Sequence, residues 1–476
     1  MMVNTKRLFL VLIISILLLS SSCAKPALVS YPQGSAKRPV DLLVVTHDSL
    51  LSVAKDFASE KESSGIKTVV VTTRGVDANF SGKDLPEKIR NCAGEFQKCG
   101  AKSILLLGSY SLVPGRYVFC PDFNNLTVAD AKAIEKKAIK EKNLEKFERY
   151  FVPTDLYYAN FSESWDLNGN GIFGEVKALT GLSADEGGFS CQMNVGRIPA
   201  SNEQEASLYL EKLRNFHLGK NKKVLIVNAT KDGGPLFDGD ELSRQIIQSL
   251  GEGWSVDLIS EGMRECTPSR IRKMLDSGDY ISFIALAHGF PFGIVVNSIG
   301  RLNVLTRRKI NLMDSESILN ESKKIEEAGW YKKELSGYVF DNEDALRLKN
   351  NIPFFLMAFG CYVTAPEYKN HSILENFVVQ KHGAIAACGL SRVVTVSRET
   401  YEAALSRTGG LQFELGTSII ENVFKKGMTF GEAHSKAIEE YARRNATLLG
   451  SSDQREILFG MSLLGDPTIN LRQGRE

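Results

Sequence analysis

From Val40 onward, short apolar runs rich in branched residues alternate with longer amphipathic segments, and nothing else in the chain restricts its fold as much. DLLVVT is followed by the helix-like SLLSVAKDFASEKESSG, then KTVVVTT, then LPEKIRNCAGEFQKCG, then KSILLLG. Strands separated by helices lie side by side in parallel, because each helix carries the chain back along the sheet before the next strand begins. The rhythm pauses from Phe119 to Phe151, where DAKAIEKKAIKEKNLEKFERY reads as a charged, solvated surface helix with no chemistry assigned to it. Beyond Trp165, MNVGRIPASNEQEASLYLEKLRNFH supplies a strand and a capped helix that close a first unit near Gly219.

A second unit opens with KKVLIVNAT and continues through SVDLIS, PSRIRKMLDSG, YISFIALAHG, NIPFFLMAFGC and GAIAACGL. A length of 476 residues suits two adjacent α/β units with mainly parallel sheets, one over 40–220 and one over 221–474. Within the second unit, Ser298 to Glu334 breaks the strand rhythm with RRK and KK clusters and reads as an insertion beside that unit's site.

The first 22 residues have the layout of a secretion signal, Lys6-Arg7 followed by LFLVLIISILLL, an apolar tract too short to span a bilayer. The tract runs into SSSC at Cys23, which resembles the lipobox of bacterial lipoproteins. That likeness implies a lipidated Cys23 that holds the chain at the cell envelope, outside the cytoplasm; an ordinary cleaved signal is the other reading. Residues 24–39 carry Pro26, Pro32 and Gly34 and read as a flexible tether. Lys6 and Arg7 are the only charges before Cys23, so 56 basic side chains face 56 acidic ones in the remainder, a balance that gives no footprint for nucleic acid. Seven further cysteines, an odd number, leave at least one thiol free in an oxidising compartment, with Cys92 and Cys99 as a candidate disulfide.

In open parallel sheets ligands collect beyond the carboxyl ends of the strands, so polar residues that terminate apolar runs are the first candidates for chemistry. Tyr280 to Ala287 ends in His288-Gly289, and Phe354 to Gly360 ends in Cys361. Imidazole and thiol at neighbouring strand ends can act together, the imidazole taking the thiol proton and returning it to a leaving amine. Gly289 has no side chain to keep its backbone N–H from a developing oxyanion. Each residue taken alone is more often structural, and Cys388 lies inside an apolar run that favours burial.

The His-Gly block and the Cys block together resemble the caspase-like cysteine peptidases, and specifically the gingipain family. Other stretches stand in family order: DLLVVTHDSLLSVAKDF, GIKTVVVTT, SILLLGSYSLVPGR, TDLYYANF, DLNGNGIFGE, NVGRIPAS, AHGFPFGI, FFLMAFGC and SLLGDPTINL. The resemblance implies a caspase-like fold and a cysteine endopeptidase that acts on protein or peptide substrates through a thioester acyl-enzyme. Cys361 would be the nucleophile, His288 the proton donor and acceptor, and the N–H groups of Gly289 and Cys361 the oxyanion site. It also implies an acidic residue that orients the imidazole. Asp232 in KDGGP matches that place, and a helix cap is its other reading. The acidic residue that pairs a basic P1 side chain aligns variously with Asp238, Asp240 or Ser243, so the S1 residue stays open. The chain departs from the family in its Tyr-Val-Thr-Ala after Cys361 and in the Ser298–Glu334 insertion. One branch of the family resembles a surface sortase, and a catalytically silent caspase-like binding module is a third reading.

DLNGNGIFGE places oxygen ligands at alternate positions around glycines and closes with Glu175, a pattern similar to a shortened calcium loop. It implies a structural calcium held by Asp166, Asn168, Asn170, the Ile172 carbonyl and Glu175; an Asn-Gly-rich turn is the alternative. No organic cofactor is expected: GNGIFG lies within this loop rather than between a strand and a helix, and GxxxxGK[ST] is absent. His47, His217, His371, His382 and His434 lack metal spacing and read as structural or surface groups.

Overall fold

The computed structural model describes residues 39–121, 128–141, 149–175, 188–216, 222–230, 239–261, 263, 265–297, 318–328, 337–369, 371–394 and 398–471. The strands in chain order are β1 (Leu42–Thr46), β2 (Thr68–Thr72), β3 (Ser103–Leu107), β4 (Arg116–Phe119), β5 (Phe151–Thr154), β6 (Asn194–Ile198), β7 (Lys223–Ala229) and β8 (Ser255–Ser260). They continue with β9 (Tyr280–Ala287), β10 (Gly289–Phe290), β11 (Gly293–Val295), β12 (Val339–Asp341), β13 (Phe354–Ala358), β14 (Ala384–Leu390) and β15 (Met461–Gly465). β1, β3, β9, β13 and β14 are buried along their whole length, which is why their sequences are unbroken apolar runs rather than alternating ones.

The two expected sets of strands share one ten-stranded sheet, in the order β2-β1-β3-β6-β15-β14-β13-β9-β7-β8. Within each set neighbouring strands pair in parallel. β15, from the end of the chain, sits at the junction: it pairs antiparallel with β14 and bridges to β6 through Leu464 and Arg197. Two small sheets flank the main one, β4 with β5 and β10 with β11 and β12. The β4–β5 pair lies at the edges of the charged stretch, where the sequence offers no strand signal.

Helices begin where the sequence supplies caps. Asp84 accepts from the Glu87 N–H ahead of Leu85–Lys98, Asn202 accepts from the Glu205 N–H ahead of Glu203–Arg214, and Thr429 with Glu432 forms a capping box ahead of Phe430–Arg444. The Glu203–Arg214 helix ties the two sets of strands together along one face. The Tyr209 hydroxyl donates to the Ile385 carbonyl of β14 at 3.0 Å and accepts from the Asp466 N–H at 2.9 Å. One turn further on, buried Lys212 donates to the carbonyls of Phe377, Val378 and Gln380 at 3.2, 2.6 and 2.9 Å, at the C-terminal end of the Ile373–Val379 helix. A lysine head group there satisfies acceptors that no helical N–H reaches.

The charged stretch forms a helix over Val128–Glu141, as expected, but it is not wholly solvated: Ala131 and Ala138 pack with Phe119, Phe151 and Ile172. Cys92 and Cys99 form no disulfide. Cys92 is buried within its helix and Cys99 is exposed at the C-cap, about 10 Å further along the axis at 1.5 Å per residue, out of reach of a disulfide. Replacing Lys212 with Met strands three buried carbonyls, and we expect a loss of about 2 kcal/mol, read as a lower urea midpoint. An unchanged midpoint would show that Lys212 does not hold the two sets together.

Candidate active site

β9 and β13 are adjacent and parallel, with Ala285 opposite Ala358, and the same offset carried onward sets His288 beside Cys361. The Phe359 N–H donates to the Ala285 carbonyl at 3.0 Å, so the pairing holds to the ends of the strands. Beyond them the backbones come closer than side chains permit. A Cβ on Gly360 would lie 2.7 Å from the Gly289 nitrogen, and one on Gly289 would lie 2.7 Å from the Cys361 carbonyl oxygen. Both positions therefore require glycine because of close approach. The structure thus brings Cys361, His288 and Gly289 together at adjoining strand ends. Asp232 and Asp238 lie outside the described residues; Asp240 accepts from Asn228 Nδ2 at 3.2 Å, and Ser243 is buried with its hydroxyl on the Gly239 carbonyl.

Cys361 is half-buried and His288 is exposed. The thiol meets the backbone of Val394: the Val394 N–H donates to Sγ at 3.4 Å, and Sγ lies 3.8 Å from the Val394 carbonyl. Burial pushes the thiol up to about 11, against the lowering effect of the Val394 N–H, and the Glu456 carboxylate adds to the rise. In this arrangement the side chain rests as a neutral thiol. The turn after it is held by β14 and the residues just beyond that strand: the Tyr362 N–H donates to the Arg392 carbonyl at 3.3 Å, and the Thr364 N–H to the Leu390 carbonyl at 3.1 Å. Tyr362 itself takes φ +56°, a left-handed conformation costly for a side chain of this size.

Arg392 fixes that turn from below. Its guanidinium, 2 % exposed, pairs with Glu367 through Nη1 at 3.2 Å and Nη2 at 2.5 Å, and Nε donates to the Phe151 carbonyl of β5 at 2.9 Å. The sequence reading missed both Arg392 and Val394, since neither stands at the end of an apolar run next to a reactive group. The insertion contributes directly to the same neighbourhood. Its helix, Ile318–Ala328, packs Leu319 and Ile325 against Phe292, Tyr362 and Tyr368, with partly buried Phe290, Val393 and Cys361 on the same cluster. Glu326 accepts from the Tyr368 hydroxyl at 2.6 Å and from Asn342 Nδ2 at 3.3 Å, locking the helix onto the segment after Cys361.

The remaining motif folds as a tight loop with Gly169, Gly171 and Gly174 all at positive φ. Glu175 is buried and accepts from Asn168 Nδ2 at 2.8 Å and Asn170 Nδ2 at 3.1 Å. Asp166 pairs with Lys83 at 2.8 Å and accepts from the Gly171 N–H at 3.4 Å; Asn170 also reaches Glu135 at 2.9 Å, a partner absent from the sequence reading. Among the described residues no group of three or more His, Cys, Asp or Glu side chains could hold a metal, so any ion here would rely on amide and carbonyl oxygens as well. The residue types present fit such an ion, with a buried carboxylate at Glu175, but here Asn168 and Asn170 turn their Nδ2 groups toward it while their Oδ1 atoms accept from the Asn170 and Ile172 N–H groups, so binding requires both amides to turn over; Lys83 supplies positive charge to Asp166 meanwhile. Of the other histidines, His47 caps a short helix, His382 and His434 bond to the carbonyls of Asn350 and Met461, and His371 lies between carboxylates. His217 and Cys23 lie outside the described residues, and no described helix is long and apolar enough to cross a membrane.

The sequence profile of peptidase family C25 matches residues 35–278 and 315–472; His288 falls in the interval between. Among solved structures, the chain is similar to the Arg-specific cysteine proteinase gingipain R (RgpB), with a TM-score of 0.56 and 12% identity over 92% of this chain and 79% of that one. It is similar to the complex of Porphyromonas gingivalis RgpB pro- and mature domains, at TM-score 0.55 and 12% identity over 90% and 79% of the two chains. A third structure, described as a protease, gives 0.54 and 14% over 91% and 79%. No curated protein matches the chain significantly. At such identity the structural likeness carries the caspase-like fold, and the profile carries kinship. The chain belongs to peptidase family C25, the gingipain family of cysteine peptidases.

Proposed function

We propose that this cysteine peptidase is an envelope-tethered endopeptidase that cleaves peptide bonds with Cys361 and His288. The observation that carries the reading is the register of β9 and β13, which sets the two residues side by side at adjoining strand ends. His288 takes the thiol proton as Sγ attacks the scissile carbonyl, and backbone N–H groups of Gly289 and Cys361 receive the oxyanion. The C–N bond then breaks, His288 protonates the departing amine, and a thioester remains on Sγ. Water, deprotonated by His288, opens the thioester and restores the thiol. Because burial keeps the resting thiol neutral, His288 acts as a general base during attack rather than as half of a standing ion pair.

Cys361→Ala is expected to abolish cleavage of a peptide library with the fold retained, and His288→Ala to lower kcat/KM by about 10²–10⁴. Alkylation of Cys361, followed by mass spectrometry, is expected to climb with pH and to show no plateau in acid. A plateau below pH 6 would indicate a preformed thiolate and overturn the general-base assignment; full activity in Cys361→Ala would remove the nucleophile itself.

We also infer that Asp166, Asn168, Asn170, the Ile172 carbonyl and Glu175 hold a structural calcium, with Glu135 beside them. The buried Glu175 carboxylate supports this, and binding would brace the loop against the Val128–Glu141 helix. Calcium at a hundredfold excess over Kd is expected to add about 2.7 kcal/mol and raise Tm, and Asp166→Ala to abolish the rise. Equal melting with calcium and with chelator would discard the site. The tether rests on the leader and SSSC: Cys23→Ser is expected to move the protein from the membrane fraction to the soluble one, and unchanged partitioning would remove the lipid anchor.

A further inference from the structure

The segment leaving β6 meets the segment after Cys361, and the contact is ionic. His371 Nε2 lies 3.0 Å from Glu205 Oε2 and 3.5 Å from Ser201 Oγ, while Nδ1 lies 4.0 Å from Glu375 Oε2. Glu205 begins the Glu203–Arg214 helix and Glu375 lies in the first turn of Ile373–Val379, so the imidazole bridges one helix from each set of strands. Neither carboxylate is idle: Glu205 also accepts from the Ser201 N–H at 2.7 Å and Asn202 Nδ2 at 2.8 Å, and Glu375 from the Ser372 N–H and hydroxyl, each at 2.8 Å. The other charge acting on the cluster is Arg197 of β6, which faces Glu375. His371 adopts φ +63°, a left-handed conformation uncommon outside glycine, though His tolerates it better than most side chains, and one that persists where surrounding contacts hold it.

The residues after His371 touch both catalytic strand ends. The Ile373 N–H donates to the Pro291 carbonyl at 2.7 Å, just beyond the His288-Gly289 strand end, and the Leu374 N–H donates to the Val363 carbonyl at 3.1 Å, just beyond Cys361. Two consecutive amides therefore staple the chain after the histidine to the chain after the cysteine. We propose that His371 is a positioning residue for the Cys361 site: held as an imidazolium between Glu205 and Glu375, it fixes the Ser372–Leu374 backbone that joins the two catalytic strand ends. The inference rests on the assignment of Cys361 and His288 for its effect on activity, and on the staple alone for its effect on structure.

Burial by itself would lower the imidazole, but the Glu205 hydrogen bond and the two carboxylates outweigh it and raise it above 6.5. A raised folded value means that the latch contributes fully below pH 6.5 and is lost as pH rises through the folded value. Buried His434 works in the other direction: burial lowers it to about 4, so its contribution is complete above 6.5 and fades only in acid. The two limbs separate on the pH axis.

His371→Asn is the informative variant, because Asn tolerates the left-handed backbone and can still donate to Glu205 but carries no charge. Glu205→Gln removes the partner charge while keeping a hydrogen-bonding group. Amide hydrogen exchange of Ile373 and Leu374, corrected for intrinsic rates, and alkylation of Cys361 are measured from pH 6 to 9 on the full chain. In the native protein we expect protection to fall several-fold as His371 deprotonates. In both variants exchange should be several-fold faster at pH 6, flat with pH in His371→Asn and with its remaining transition moved to lower pH in Glu205→Gln, where the imidazole keeps only Glu375; Cys361 should alkylate more slowly than native at pH 6 and equally at pH 9. Native-like exchange in His371→Asn, or a pH-independent deficit alone, would overturn the latch. Altered exchange with native alkylation, where His288→Ala does slow alkylation, would reduce His371 to a structural role and overturn the positioning claim. If His288→Ala leaves alkylation unchanged, the dyad assignment fails instead, and the exchange data still decide whether His371 holds the staple.

Discussion

Everything at the site depends on β15 lying between β6 and β14. β15, the last described strand, closes the gap between two parallel sets, so the sheet is continuous only with it in place. The seam carries a polar cluster at its end. Asp466, fully buried just after β15, pairs with Lys61, accepts from Thr468, and through its N–H meets the Tyr209 hydroxyl that also grips β14. A buried ion pair contributes little net stability over an apolar alternative, yet losing one partner is costly. Its role here is registration: Lys61 comes from the first set, Tyr209 from the connecting helix, and Asp466 from the end of the last strand, so a slip of β15 would pull these contacts apart together. The Gly-Asp-Pro of SLLGDPTINL is thus where the fold checks its own closure.

That closure shapes the chemistry. With the sheet continuous, β9 and β13 are interior strands whose ends are fixed by neighbours on both sides. Their glycines allow His288-Gly289 and Gly360-Cys361 to pack backbone on backbone, so the spacing of the two segments is set by main chain. The cost is burial of the thiol, which raises its affinity for the proton.

Much of this was legible in the sequence because it rests on periodicity. The buried strands are unbroken apolar runs, their polar terminators are His288 and Cys361, and the family motifs stand in order around them. The illegible parts depend on partners distant in sequence. β4 and β5 pair across a charged stretch, and Arg116–Phe119 alone looks no more like a strand than its neighbours do. Arg392 stands in an ordinary polar stretch until Glu367 and the Phe151 carbonyl are placed around it. The insertion read as an interruption of the site, whereas its helix supplies Leu319, Ile325 and Glu326 to the wall beside Cys361. Cys92 and Cys99 are close enough in sequence to invite a disulfide, and a single helix holds them two turns apart along its axis.

The segment after Cys361 carries two strained residues, Tyr362 and His371, among the four non-glycine positions of positive φ in the described chain. Strain at both ends of one short segment requires clamps at both ends. Tyr362 is clamped through Arg392, which is anchored on the Phe151 carbonyl, and His371 through Glu205. Both anchors belong to the first unit, which contributes neither Cys361 nor His288. The first unit therefore supplies the frame against which the segment after Cys361 is bent, and this gives a physical reason why the two units share one sheet: a second unit alone would have Cys361 and His288 without the contacts that hold the neighbouring backbone in a high-energy shape.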